Sequence, residues 1–235
     1  MIVNGLTRLY AEIDLFRGAD RLVSSESLAM RKLIALLVVG VLLSFGQIVS
    51  AGPLEDGVAA MKRGDYATAL RLWRLLAEQG DGAGAPFALF MIGAMYRNGH
   101  GVAQDNEEAV KWYRLAADQG YAAAQSNLGV MYSNGEGVAQ NFEEAVKWYR
   151  LSAQQGHVMG QINLATKYLA GEGVAQDYVR AHMWFNIVAS TDSSADSRYK
   201  TVRDAVATKM TPAQIAQAQE MAQKCQQSKF KDCGW

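Results

Sequence analysis

Proline occurs three times and cysteine twice in 235 residues. Proline removes a backbone donor and clashes inside a helix, so its scarcity leaves long helices permitted along most of the chain. Lysine plus arginine balance aspartate plus glutamate, 23 against 23. No net field therefore draws the chain toward nucleic acid or anionic lipid. The chain also lacks a Gly-x-Ser-x-Gly elbow, a His-Glu-x-x-His pair, a phosphate-cradling loop and a Cys-x-x-Cys motif. No catalytic residue is assigned, and neither a metal nor a cofactor is expected. The three histidines are dispersed: His100 in a loop, His157 opening one helix and His182 inside another. Their spacing shows no convergent ligand set.

Long apolar runs are scarce too. After Met30-Arg31-Lys32 come eleven uninterrupted apolar or glycine residues, LIALLVVGVLL, and then SFGQIVSAGP. The run is shorter than the roughly 20 residues that span a bilayer. A charged start, a short apolar centre and small residues at Val49 and Ala51 read as a secretory signal over 30–51. The mature chain then begins near Gly52, with a retained signal anchor as the alternative. Secretory signals sit at an N-terminus, so the expected translation start is Met30, with 1–29 untranslated. Cys225 and Cys233 both fall in the last eleven residues. In an exported chain a disulfide between them is expected, since a metal site would lack a third ligand nearby.

What is abundant is repetition. GVAQDNEEAVKWYRLAADQG (101–120) returns as GVAQNFEEAVKWYRLSAQQG (137–156), with sixteen of twenty positions identical. A worn copy, GVAQDYVRAHMWFNIVAS, follows at 173–190, again 36 residues on. A degenerate unit covers about 54–80, and DGAG at 81–84 is a four-residue insertion. A period of this size marks a solenoid, in which each unit buries its apolar face on the next. The spacing predicts two helices per unit. The first runs from about Ala122 to Ser133 in the cleanest copy and ends at glycines that can take positive φ. The second opens at Asp105, Asn141 or Asp177, with Glu108 and Glu144 as capping-box partners. Its expected apolar stripe is Ala109, Trp112, Leu115 and Ala116, with Trp112 and Trp148 buried between units and Glu107–Lys111 and Glu143–Lys147 pairs outside. Trp73 falls one place later than those tryptophans. Residues 193–235 predict a capping helix pair, with Thr211 as N-cap and Pro212 at the first helical position. About ten helices follow, stacked as an all-α, right-handed solenoid of units at about 54–80, 85–120, 121–156 and 157–190.

The stretches Ala124 to Tyr132, Gly135 to Val138 and Glu144 to Gly156 resemble the Sel-one-like repeat family, a cousin of the tetratricopeptide repeat. The likeness covers roughly 54–190. It implies a binding module, since members commonly act as adaptors in assembly, signalling or cell-envelope processes. Some secreted members are associated with binding or slowly hydrolysing β-lactams, and an envelope signalling regulator is a further reading. Unlike some secreted members, this chain has no cysteine inside its repeats.

In tetratricopeptide-type folds the first helix of each unit lines the concave face. That likeness maps a groove onto Phe87, Phe90 and Arg97, then Ser126, Val130 and Ser133, then Gln161, Thr166 and Leu169. Phe90 has core packing as its competing role. The expected product is an exported, periplasmic or secreted, non-enzymatic scaffold that binds a protein or extended peptide. Nucleic acid and a stable membrane span are not expected partners of the mature chain. A frayed last unit and a capped C-terminus argue for a monomer.

Overall fold

The computed structural model describes residues 52–78, 82, 84–191 and 196–234. The signal-sequence reading of 30–51 and the upstream 1–29 lie outside the described residues. Among the described residues ten helices follow in chain order: α1 Pro53–Lys62, α2 Tyr66–Glu78, α3 Ala85–Asn98, α4 Asn106–Asp118 and α5 Ala122–Asn134. They continue with α6 Phe142–Gln154, α7 Val158–Ala170, α8 Tyr178–Thr191, α9 Asp196–Ala207 and α10 Pro212–Gln227. From α1 to α9 each helix packs on its neighbour in sequence, so α1/α2, α3/α4, α5/α6 and α7/α8 are four stacked hairpins, while α10 packs on α8. The fold is an α-solenoid with two extra helices at its C-terminal end.

Local chemistry sets the hairpins. Asp105 and Asn141 cap α4 and α6 by accepting from the amides of Glu108 and Glu144, each at 3.0 Å. Glycines at 99, 135 and 171 close the first helices in the left-handed region, with φ of 70°, 72° and 74°. The glutamine of each GVAQ loop then donates to a last-turn carbonyl: Gln104 to Arg97, Gln140 to Ser133 and Gln176 to Leu169, each at 2.9 Å. Helix ends leave such carbonyls without an intrahelical partner, so one glutamine per loop satisfies one of them.

The capping boxes expected at Glu108 and Glu144 do not form. The backbone N–H they would accept is already taken, Asp105 donating to the Tyr96 carbonyl at 2.9 Å and Asn141 to Tyr132 at 2.8 Å. Their carboxylates pair instead with Lys111 and Lys147 at i+3, so those lysines do not pair with Glu107 and Glu143. The reciprocal box does form at Thr211 and Gln214, where the α10 N-terminus has no preceding helix competing for it.

The buried stripe of the second helices also differs from expectation. Ala109, Val110, Tyr113, Ala116 and Ala117 are buried on α4, whereas Leu115 is exposed and Trp112 only half-buried. The large buried ring is the residue after the tryptophan: Tyr113, Tyr149 and, in the fourth unit, Phe185. Trp73 is therefore in register with these rings and not displaced. Trp73, Tyr113 and Tyr149 each fill a recess left by a glycine on the paired first helix. An added Cβ at Gly93 would meet Tyr113 at 2.8 Å, and the glycine facing Trp73 is Gly57.

Units are then locked edge to edge. Arg74 donates to Tyr96, Arg114 to Tyr132 and Arg150 to Tyr168, each arginine on a second helix and each tyrosine on the next first helix. The second glycine of each loop reaches back to the preceding unit. Gly137 abuts the backbone of Asn106 and Gly173 that of Phe142, leaving no room for a side chain.

Candidate interaction surface

One face of the stack is built from first helices. Along it α5 touches α7 directly, whereas the other first-helix pairs and the successive second helices make no comparable contact. This is the face to which the sequence assigned its groove.

At the N-terminal end that face is apolar. Leu54, Val58 and Ala59 of α1 and Phe87 of α3 surround an open depression of about 370 Å³, with Glu55 and Lys62 at its margin. Phe87 is held edge-on between Trp73 and Tyr121, with ring centroids 6.4 and 6.3 Å away. Phe90 is tilted onto Tyr121 at 5.2 Å and Tyr113 at 5.7 Å. Both phenylalanines are half-buried, each partly core and partly face. Burial raises the hydroxyl pKa of Tyr113 and Tyr121, for Tyr113 against contacts from Asn127 and Arg97 that lower it. Arg97 is not a free cation: its Nη2 donates to Glu136 Oε2 at 3.0 Å.

Farther along the stack the face is mixed: Met159, in register with Phe87, is 51% exposed. Val130 and Leu169 are half-buried, and exposed Thr166 donates its hydroxyl to the Ile162 carbonyl. Three assigned groove residues are buried, so the structure does not offer them as open surface. Ser126 accepts from Asn163 at 3.4 Å, and Ser133 lies against the Tyr149 hydroxyl, whose pKa burial pushes up to about 12 against that contact. Gln161 is 1% exposed because it matches Gln125 of the preceding unit, a core position. Ile162 is the residue in register with Ser126 and Phe90. Sequence reasoning missed Leu54 and Val58 by leaving the degenerate first unit out of the groove. Aligning Gly57 with Gly93 places Leu54 opposite Phe90 and Val58 opposite Ala94.

One pair has the look of catalytic geometry. Ser152 Oγ lies 3.2 Å from His157 Nδ1. The serine is fully buried, however, and its hydroxyl donates to the Ala122 carbonyl at 2.8 Å. The same Nδ1 accepts from the Gly160 amide at 3.3 Å, so the imidazole acts as a helix cap. Burial lowers the pKa of this imidazole. No nucleophile is presented to solvent there. Among the described residues no group of His, Cys, Asp and Glu converges to hold a metal, and no helix is long and apolar enough to cross a membrane.

The C-terminal tail is tied twice. Cys225 and Cys233 are joined by a disulfide, and both are buried. The Gly234 carbonyl accepts from Arg180 Nε at 3.0 Å and Nη2 at 2.8 Å, while Asp177 holds the same guanidinium.

Comparison with known proteins agrees with this architecture. A crystal structure of a Sel1 repeat protein from Oxalobacter formigenes superposes with a TM-score of 0.55 at 33% identity, over 64% of this chain and 57% of that one. The present chain thus spans little more than half of that relative. A weaker likeness, TM-score 0.49 at 24% identity over 74% of this chain and 49% of the other, is to c5321, a protective antigen present in uropathogenic Escherichia coli strains displaying an SLR fold. Among curated proteins none matches the chain. Sel1 repeats typically mediate protein–protein interaction and form a scaffold that is usually non-enzymatic. Four of them are recognised here, at residues 52–81, 86–121, 122–157 and 158–190, and the chain belongs to the Sel1 repeat family.

Proposed function

We propose that the first-helix face binds a partner protein or extended peptide, and that the chain is a non-catalytic scaffold or adaptor of the cell envelope. The observation that carries this reading is the apolar depression at Leu54, Val58 and Phe87, which opens at the N-terminal end of the first-helix face. A bound segment would place an apolar side chain there, between the opposite charges of Glu55 and Lys62. Residues Val130, Thr166 and Leu169 would touch the segment farther along. Apolar and aromatic anchors in such pockets carry most of the energy of an interface. Envelope placement rests on the signal-like sequence at 30–51.

In-cell photocrosslinking from Val58 tests the groove, beside a Leu54→Ala/Phe87→Ala variant whose helicity and melting are checked first. One partner captured by the wild type and lost by the folded variant supports the reading. Equal capture by both overturns the groove assignment. Export is tested separately by cell fractionation and N-terminal sequencing, with a new terminus near Gly52 as the expected result.

A further inference from the structure

The second helices expose a row of side chains that the fourth unit hides. Leu75, Leu115 and Leu151 hold one place in the repeat and are 42%, 50% and 43% exposed. Trp112 and Trp148 stand three residues earlier and are half-buried. On α8 the same two places are Trp184 and Ile187, only 1% and 0% exposed, and Met183 replaces Lys111 and Lys147 in full burial.

The helices beyond the repeats account for the difference. α9 stands where a further first helix would. Its Arg203 donates to Asn186 at 3.3 Å, at the place from which Arg114 and Arg150 reach the next unit. α10 has no counterpart in the repeat and packs directly on α8. Gln226 donates to Ser190 at 3.0 Å, and the tail carbonyl of Gly234 binds Arg180, so α10 and its tail bracket the ridge at both ends. The buried face of α10 is made of small residues: Ala218, Ala222 and Cys225.

We infer that the ridge of Trp112, Leu115, Trp148 and Leu151 is a second docking surface, and that its occupant is an amphipathic helix of a partner protein with a small-residue stripe like that of α10. The chain itself shows how such a ridge is covered. Small residues let a helix axis come close enough to seat the tryptophan and leucine side chains against it. A second copy of this chain is not the favoured occupant, because its own stripe of this kind is already engaged on its α8. The ridge lies on the helices opposite the groove, so the two surfaces can be occupied together.

The probe is a fluorescent peptide of residues 211–227 with Cys225→Ala, titrated with the full chain and read by anisotropy. Saturable binding is expected, weakened about tenfold or more by Leu115→Glu/Leu151→Glu. The groove variant Leu54→Ala/Phe87→Ala should leave it unchanged, which separates this surface from the one above. If the glutamate pair disturbs folding, Leu115→Gln/Leu151→Gln reads the same loss. Absence of binding, or equal binding to the ridge variants, overturns the inference. So does a dimer in sedimentation equilibrium that the ridge variants abolish, since the occupant would then be a second copy.

Discussion

Gly129 and Tyr149 are in direct contact: a Cβ added at Gly129 would lie 2.5 Å from the tyrosine ring carbon Cε1. Helix propensity alone favours Gly129→Ala by about 1 kcal/mol. Packing opposes it, because the buried ring has nowhere to retreat and overpacking costs roughly 1–3 kcal/mol. Gly129→Ala is therefore expected to lower stability in urea unfolding. A midpoint equal to or above wild type would show that the ring shifts freely and that the recess does not set the helix spacing.

Two positive-φ glycines separate backbone strain from backbone contact. Gly64 sits at φ 76° with nothing within 4 Å of an added Cβ, whereas Gly137 at φ 67° abuts the Asn106 backbone of the preceding unit. Gly64→Ala should cost only the left-handed penalty of about 1–2 kcal/mol. Gly137→Ala should cost clearly more, because two units must move apart. Equal melting temperatures for the two variants would contradict the loop's role in fixing unit spacing.

The Cys225–Cys233 disulfide closes a short loop, with a sequence separation of 8. Loop-closure entropy puts its contribution at roughly 2–3 kcal/mol. Cys225→Ser/Cys233→Ser should lower the melting temperature and release the tail from Arg180. Hydrogen exchange of residues 226–234 reads the second effect. Thiol alkylation with intact mass checks the oxidised state in the native protein, where two blockable thiols without reductant would count against the bridge.

Acidification should weaken the fold through two imidazoles, the buried His182 and the half-buried His157. His182 is 3% exposed, with Nδ1 unpartnered. Burial lowers its pKa below the ordinary 6.5, Arg203 adds to that, and Asp204 opposes it. His157 shifts the same way by burial, and protonation would remove its cap on Gly160. The unfolded chain then binds protons first, so stability is full above about pH 6.5 and falls as pH drops toward the folded pKa values. Melting temperature from pH 8 to 5 should decline below 6.5, and His182→Leu should flatten part of that decline. A wild-type profile flat across this window would refute the assignment.

Much of the fold was legible because its determinants are local. The period of 36, the caps at Asp105 and Asn141, and the stopping glycines at 99 and 135 all act within a few residues of themselves. The capping partners were not, because Glu108 and Glu144 compete with carbonyls of Tyr96 and Tyr132 from another helix. The groove was legible only in part. Neighbouring helical positions differ by about 100° around the axis, so one step in register moves a side chain from face to core. Gln161 and Ile162 stand on opposite sides of that step.

By itself the sequence determined that this chain stacks helical hairpins, since each copy carries its own start, stop and apolar stripe. Only the tertiary structure decided which aromatic is buried and which surface remains open. Tyr113 is core and Trp112 is rim because a glycine on the paired helix makes room for one ring alone. Leu151 is open and Ile187 closed because α9 and α10 pack on the last unit and on none before it. That difference lies in the neighbours, which no single copy of the repeat encodes.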